Sequence, residues 1–179
     1  MKRLLPMLVL GAWLTATAAA PKISRPAMQA FERSFDQRFQ QFNADDPIEV
    51  LGPARGVYVD KLGVVLSAEV NLVVTAITPF RPQITGEQLE KLRQKKLLRV
   101  AEVRKLMRDT MISAAVSLKS LGMDEQMVVG VTFFHRPFEL TQDLPGQIVM
   151  QVPKRVLADY EAGRIKQPAL DAAIQEQVY

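Results

Sequence analysis

The stretch from Thr85 to Gly122, TGEQLEKLRQKKLLRVAEVRKLMRDTMISAAVSLKSLG, constrains this chain more than any other. Leu89, Leu92, Val100, Val103, Met107, Ala114, Leu118 and Leu121 step by three, four or seven, so at ~100° per residue they share one stripe. Thr85 is placed to cap the amino end, with Gln88 three residues on, as in a capping box. Gly122 is expected just past the carboxyl end, where positive φ is needed. No proline interrupts the run. The spacing predicts one long amphipathic helix, or two collinear ones, about 50 Å long at the usual rise per residue. Lys96 falls on the apolar stripe, and its stem is expected to snorkel outward there.

Strand signals flank this helix. Gly56 to Thr75 alternates: Val64, Leu66, Ala68, Val70, Leu72 and Val74 are expected on a core face, with Ser67, Glu69, Asn71 and Thr75 opposite. The tetrad Asp60-Lys61-Leu62-Gly63 suits a hairpin turn closed by a glycine in the left-handed region. Clean alternation argues for an antiparallel sheet with one face polar. Pro79 and Pro82 end the strand. After the helix, Gln126 to Arg136 is apolar on both faces, as in a central strand, and Gly130 marks a bulge or the close approach of another backbone. Asp143 to Gly146 reads as a turn and Gln147 to Val152 as a further strand. Pro153 opens a short helix ending at Gly163, and Ala169 to Val178 reads as a last helix at the surface.

Ser24 to Phe42 is read as the first helix after the leader, opened by Ser24 and Pro26. Phe31, Phe35, Phe39 and Phe42 fall on one arc of it. Such a stripe either docks on the domain's own sheet or meets an apolar partner. The fold expected is α+β: an antiparallel sheet of about four strands, one long amphipathic helix packed on a face, and N- and C-terminal helices. The organisation expected is a leader over residues 1–20, an amphipathic helix and linker over 21–53, an α+β core over 54–165 and a C-terminal helix or tail over 166–179.

The first residues, MKRLLPMLVLGAWLTATAAA, have a basic start at Lys2 and Arg3, an apolar run from Leu4 to Leu14 and small residues before a cleavage site. They read as an export signal, placing the protein in the periplasm or outside the cell. An uncleaved anchor is the alternative, although the strongly apolar part is shorter than the ~20 residues of a spanning helix. The formal charge is +4, from 23 basic and 19 acidic residues. Removing Lys2 and Arg3 leaves 21 basic against 19 acidic residues, or +2. That excess makes no argument for nucleic acid. There are no cysteines, which excludes thiol nucleophiles, Cys-ligated zinc, Fe–S clusters and lipid modification at an amino-terminal cysteine.

No motif in the chain names a reaction. A single histidine, His135, rules out a multi-His zinc site. No nucleotide-binding glycine loop and no G-x-S-x-G elbow occurs. The candidate catalytic pair is His135 with Glu69, brought together if their strands pair, as in a small hydrolase. The segment Lys91 to Arg108 is dense in basic residues, and Arg93, Lys95, Lys96 and Arg99 are the candidates for contact with an anionic envelope surface; the plain alternative is a solvated helix with Glu90, Glu102 and Asp109 as ion-pair partners. No cofactor or metal is expected. The reading is an exported, non-catalytic binding or envelope-associated protein with a protein or anionic partner. Self-association into a homo-oligomer is the third class.

Overall fold

The computed structural model describes residues 22–43, 45–75 and 84–179. The leader and the Pro79 and Pro82 strand stop lie outside the described residues. In chain order the elements are α1 (Arg25–Gln41), β1 (Glu49–Val50), β2 (Arg55–Val59), β3 (Gly63–Asn71), α2 (Gly86–Ser117), β4 (Gln126–Phe133), β5 (Gln147–Pro153), α3 (Lys154–Glu161), α4 (Gln167–Ala173) and β6 (Gln175–Val178). They build an open α+β domain on a single mixed sheet.

The capping box at the start of α2 is present in full. Thr85 Oγ1 accepts from the Gln88 backbone N–H, and Gln88 Oε1 accepts from the Thr85 N–H. One continuous helix of 32 residues follows. Its carboxyl end differs from expectation. The helix stops at Ser117, with Leu118 rather than Gly122 at the boundary. A cation from elsewhere in the chain takes up the carbonyls there. Lys154 Nζ reaches over from α3 and donates to the Leu118, Lys119 and Leu121 carbonyl oxygens at 2.7, 3.3 and 2.9 Å. Three acceptors match the three donors of an ammonium, and a positive charge suits the negative end of the helix dipole.

The sheet is ordered β1-β3-β4-β5-β6, with β2 beside β1 on the same edge of β3. β3 pairs antiparallel with β2, from Arg55 opposite Ser67 to Val59 opposite Gly63. Its turn places positive φ on Lys61 as well as Gly63, at 62° and 128°. β4 is central, as its two apolar faces imply, lying between β3 and β5. The β3–β4 ladder is parallel, however, and this corrects the expected all-antiparallel sheet. Alternation in β3 goes with one face of the sheet carrying no helix among the described residues, not with every neighbour running antiparallel. A connection the length of α2 lets the chain return to the starting edge and lay β4 alongside β3 in the same direction. The expected last helix is also corrected. It ends at Ala173, and Gln175 to Val178 becomes β6, paired antiparallel with β5. Too few apolar residues fall at helical spacing there to hold a longer helix.

The core lies between this sheet and the helices. Val64, Leu66 and Val70 of β3, Met127, Val129 and Val131 of β4, and Ile148, Met150 and Val152 of β5 are buried under Val103, Met107 and Met111 of α2. Val74, expected among them, is 52% exposed, because β3 ends at Asn71. Ser24 caps α1 through the Ala27 N–H, with Pro26 in the first turn. Glu32 of α1 accepts from the Gly56 N–H at 2.9 Å, and Asp36 accepts from the Ala54 N–H at 3.0 Å, fixing α1 beside the β2 edge.

Candidate functional site

The aromatic stripe of α1 is not a site for a partner. Phe31, Phe35 and Phe39 are buried in the core, Phe35 and Phe39 stacked with ring centroids 4.4 Å apart, and Phe42 packs against the same cluster. Enclosing such rings removes large apolar areas from water, so the helix docks on its own sheet.

Two of the four basic candidates, Lys96 and Arg99, are likewise turned inward. Lys96 is 1% exposed and pairs with Glu139, whose side chain is 3% exposed, while also donating to the Phe134 carbonyl. The expected snorkelling does not occur, because Glu139 meets the ammonium inside the protein. Arg99 is buried and pairs with Asp46. It also donates to the Pro47 carbonyl at 3.1 Å and to that of Leu72. Lys95 reaches the same Asp46 at 2.6 Å. Arg93 holds Glu90 at 2.8 Å and Asp143 at 3.3 Å. These four cations staple loops to α2 instead of forming an anionic-surface patch. The carboxyls respond accordingly. Hydrogen bonding from Lys95, with the charge of Arg99 behind it and burial opposing, holds Asp46 below the ordinary carboxylate range. Arg93 and then Gln94 hold Glu90 down at about 2.

His135 and Glu69 are not brought together. Glu69 stands opposite Thr132 in the β3–β4 register and is exposed on the helix-free side of the sheet. The acid near His135 is Glu139, 3.8 Å from Nδ1, a spacing of four residues in the loop after β4. Nε2 lies 3.1 Å from the Pro145 carbonyl oxygen. A carbonyl only accepts, so Nε2 donates there. Nδ1 is buried and has no hydrogen-bond partner among the described residues. No described serine, threonine or tyrosine hydroxyl hydrogen-bonds to the imidazole, and Glu139 is already committed to Lys96. Sequence spacing contained the His135/Glu139 pair, but nothing marked a loop residue as buried.

A cleft of about 330 Å³ opens nearby, lined by Leu97, Val100 and Arg104 of α2, the Asp143–Pro145 turn, Val178 and Tyr179. Arg104 donates to Glu176 at 2.7 Å, so its charge is partly answered within the chain. A second polar centre forms around Glu125. Lys22 Nζ, the Gly122 N–H and the Tyr58 hydroxyl approach its carboxylate at 2.7, 2.5 and 2.8 Å. Burial raises the Glu125 pKa, but Lys22, Gly122 and Tyr58 outweigh it and leave the carboxyl below its ordinary value. All of these contacts tie the strand β2, the chain before α1 and the loop before β4 together. Among the described residues, no group of three His, Asp or Glu is arranged to hold a metal ion, and no helix is long and apolar enough to cross a membrane.

What remains is the face of the sheet that none of the described helices covers, called the helix-free face below. The registers place Arg55, Val57 and Val59 of β2 there, with Val65, Ser67 and Glu69 of β3. Beside them lie Gln126, Val128, Gly130 and Thr132 of β4, and Val149 and Gln151 of β5. Val57 is 54% and Val59 42% exposed. Valines form the centre, polar residues surround them with Arg55 and Glu69 the charged ones among those named, and no lysine occurs on any strand of this face. That differs from the helical side, where charged residues cover the surface of α2. A face depleted in charge, with apolar residues at its centre and polar ones around them, has the anatomy of an interface. No family model matches the chain, and no characterised protein or solved structure was found to resemble it.

Proposed function

We propose that this is an exported, non-catalytic binding protein that works through the helix-free face of its sheet. The leader-like first twenty residues motivate export. The observation that carries the binding reading is the contrast between the two sides of the domain. Every basic side chain proposed from the sequence is engaged within the chain, and no described hydroxyl hydrogen-bonds to the one histidine. The sheet face that the described helices leave uncovered offers exposed Val57 and Val59 with half-buried Val65 and Val128 between them and its centre. A rigid apolar face loses little conformational entropy when it is covered.

A photo-crosslinking side chain placed at Val57 tests this in cells making the full chain, with Leu98 as the control. Leu98 is 74% exposed on the outer side of α2. Crosslinked protein adducts are expected from position 57 and not from position 98. Adducts from 98 alone, or none from either, overturn the reading. Sequencing the amino terminus of the exported product tests the localisation. A start near residues 19–21 in a soluble envelope or secreted fraction is expected, and a cytosolic product still beginning at Met1 overturns export.

A further inference from the structure

Gly130 sits in the middle of β4, the central strand, where a glycine is unfavourable. It gives no side chain to the sheet and loses more backbone freedom on folding than other residues. A strand glycine usually marks a bulge, a backbone bend with positive φ, or the close approach of another surface. The register is unbroken on both sides, with Gly130 opposite Ser67 and opposite Val149, so there is no bulge. Among the described glycines, positive φ occurs at Gly63 and Gly163 and not here. Nor do the described residues crowd the position. Among them, a Cβ built on Gly130 would meet Val149 Cγ2 at 3.8 Å and nothing closer, which is ordinary packing distance. The described part of the chain has room for a side chain at the centre of its open face and does not use it. Approach of a surface from outside accounts for the glycine.

We propose that the outside surface is a second copy of this chain, with the two open faces packed sheet against sheet across Gly130. The proposal rests on the binding-face reading above and names the occupant. Charge complementarity commits it to a second copy. Arg55 and Glu69 lie on adjacent strands of this face, Arg55 opposite Ser67 and Glu69 two residues on. Among the described residues neither forms an ion pair. A twofold axis through the face brings Arg55 of each copy towards Glu69 of the other, so one acid and one base make the patch self-complementary. β2, β3, β4, β5 and β6 hold five, nine, eight, seven and four residues, so at ~4.8 Å between strands the face is about 20 Å wide and reaches about 25–30 Å in length only along β3, β4 and β5. Covering it buries roughly 500–600 Å² per partner, the lower end of a specific interface. Aligned sheets pack about 10 Å apart, and a glycine at the centre lets a valine of the facing sheet settle into the depression.

Sedimentation velocity on the exported full-length product tests this, alongside Gly130→Val, Arg55→Glu and the swap Arg55→Glu/Glu69→Arg. The wild type is expected to sediment as a dimer. Gly130→Val is expected to be a monomer that melts no lower than the wild-type chain at matched low concentration, since valine suits a strand better than glycine. Arg55→Glu should loosen the dimer about tenfold or more by placing like charges together, and the swap should restore it. If Gly130→Val does not fold, the two charge variants decide, because both positions are exposed. A wild type that stays monomeric at every concentration overturns the proposal, as does a dimeric Gly130→Val or a swap that fails to restore pairing. Monomeric protein together with crosslinks from Val57 to a different protein overturns the dimer and leaves the binding face standing. Absence of crosslinks from Val57 overturns both.

Discussion

In the first half of α2 the buried side chains are Lys96, Arg99 and Val100; in the second half they are Val103, Met107, Thr110, Met111, Ala114 and Ala115, all apolar but Thr110, whose hydroxyl donates back to the Leu106 carbonyl of the same helix. Both halves lie on the same helix and face the same sheet, yet they are held by different physics. The first half meets loops. Lys96 locks the segment after β4 through Glu139, and Arg99 locks the Asp46–Pro47 loop and the end of β3. The second half meets strands and other helices, and it is held by apolar packing. The difference shows what a buried cation does here. Loop carbonyls and carboxylates at the domain edge need donors, and long basic side chains from a rigid helix supply them where apolar residues would leave them unpaired.

Breaking the polar half gives the largest expected effect. Glu139→Ala leaves the Lys96 ammonium buried without its counter-charge, and a loss of about 3–5 kcal/mol is expected in urea unfolding. Replacing both residues, as Lys96→Met with Glu139→Leu, should recover most of that loss, because two apolar groups need no partner. A single substitution costing under about 1 kcal/mol would mean that the pair is not what holds the loop. The apolar half should answer to size alone. Met107→Ala is expected to cost about 3 kcal/mol by opening a cavity under the sheet, with no dependence on salt. Recovery by a second polar substitution nearby would contradict that contrast.

The smallest effect is a matter of pH. The folded Asp46 carboxyl lies below its ordinary value, through the Lys95 hydrogen bond opposed by burial and aided by Arg99. The folded state therefore holds its proton less tightly than the unfolded one. Its contribution to stability is complete above the ordinary carboxylate range and is lost as pH falls through the folded value. In Asp46→Asn the dependence of the urea midpoint on acid pH should flatten. An unchanged acid limb would place the acid sensitivity elsewhere, for instance at Glu90 or Glu125.

Much of this fold was legible because local physics decides it. The Thr85 capping box, the Ser24 cap, the core face of β3 and the central place of β4 each follow from a few neighbouring residues. The parallel ladder was not legible, since alternation reports how many faces of a sheet are covered and not which way its neighbours run. β6 was missed because a short edge strand of Gln, Glu and Val has no periodicity of its own; it exists through β5. The basic residues misled for a related reason. Lys96 and Arg99 look like surface cations until Glu139 and Asp46 arrive from distant loops, and no spacing rule announces such a meeting. Gly130 was visible as an anomaly, but only the unbroken register and the ordinary packing distances that the described residues leave around it turned the anomaly into an argument.

The parallel pairing of β3 with β4 also sets an order of assembly. β2 with β3 and β4 with β5 are antiparallel neighbours close in sequence, whereas Gly63 meets Gln126 across an intervening length that includes all of α2. Closing that long loop costs chain entropy that only a formed and docked α2 reduces. The domain is thus two locally folding pieces joined along one seam, and the seam is expected to close last. Ala68→Gly, on the seam, should speed unfolding while leaving the refolding rate nearly unchanged; slower refolding in stopped-flow would place the seam in the nucleus instead.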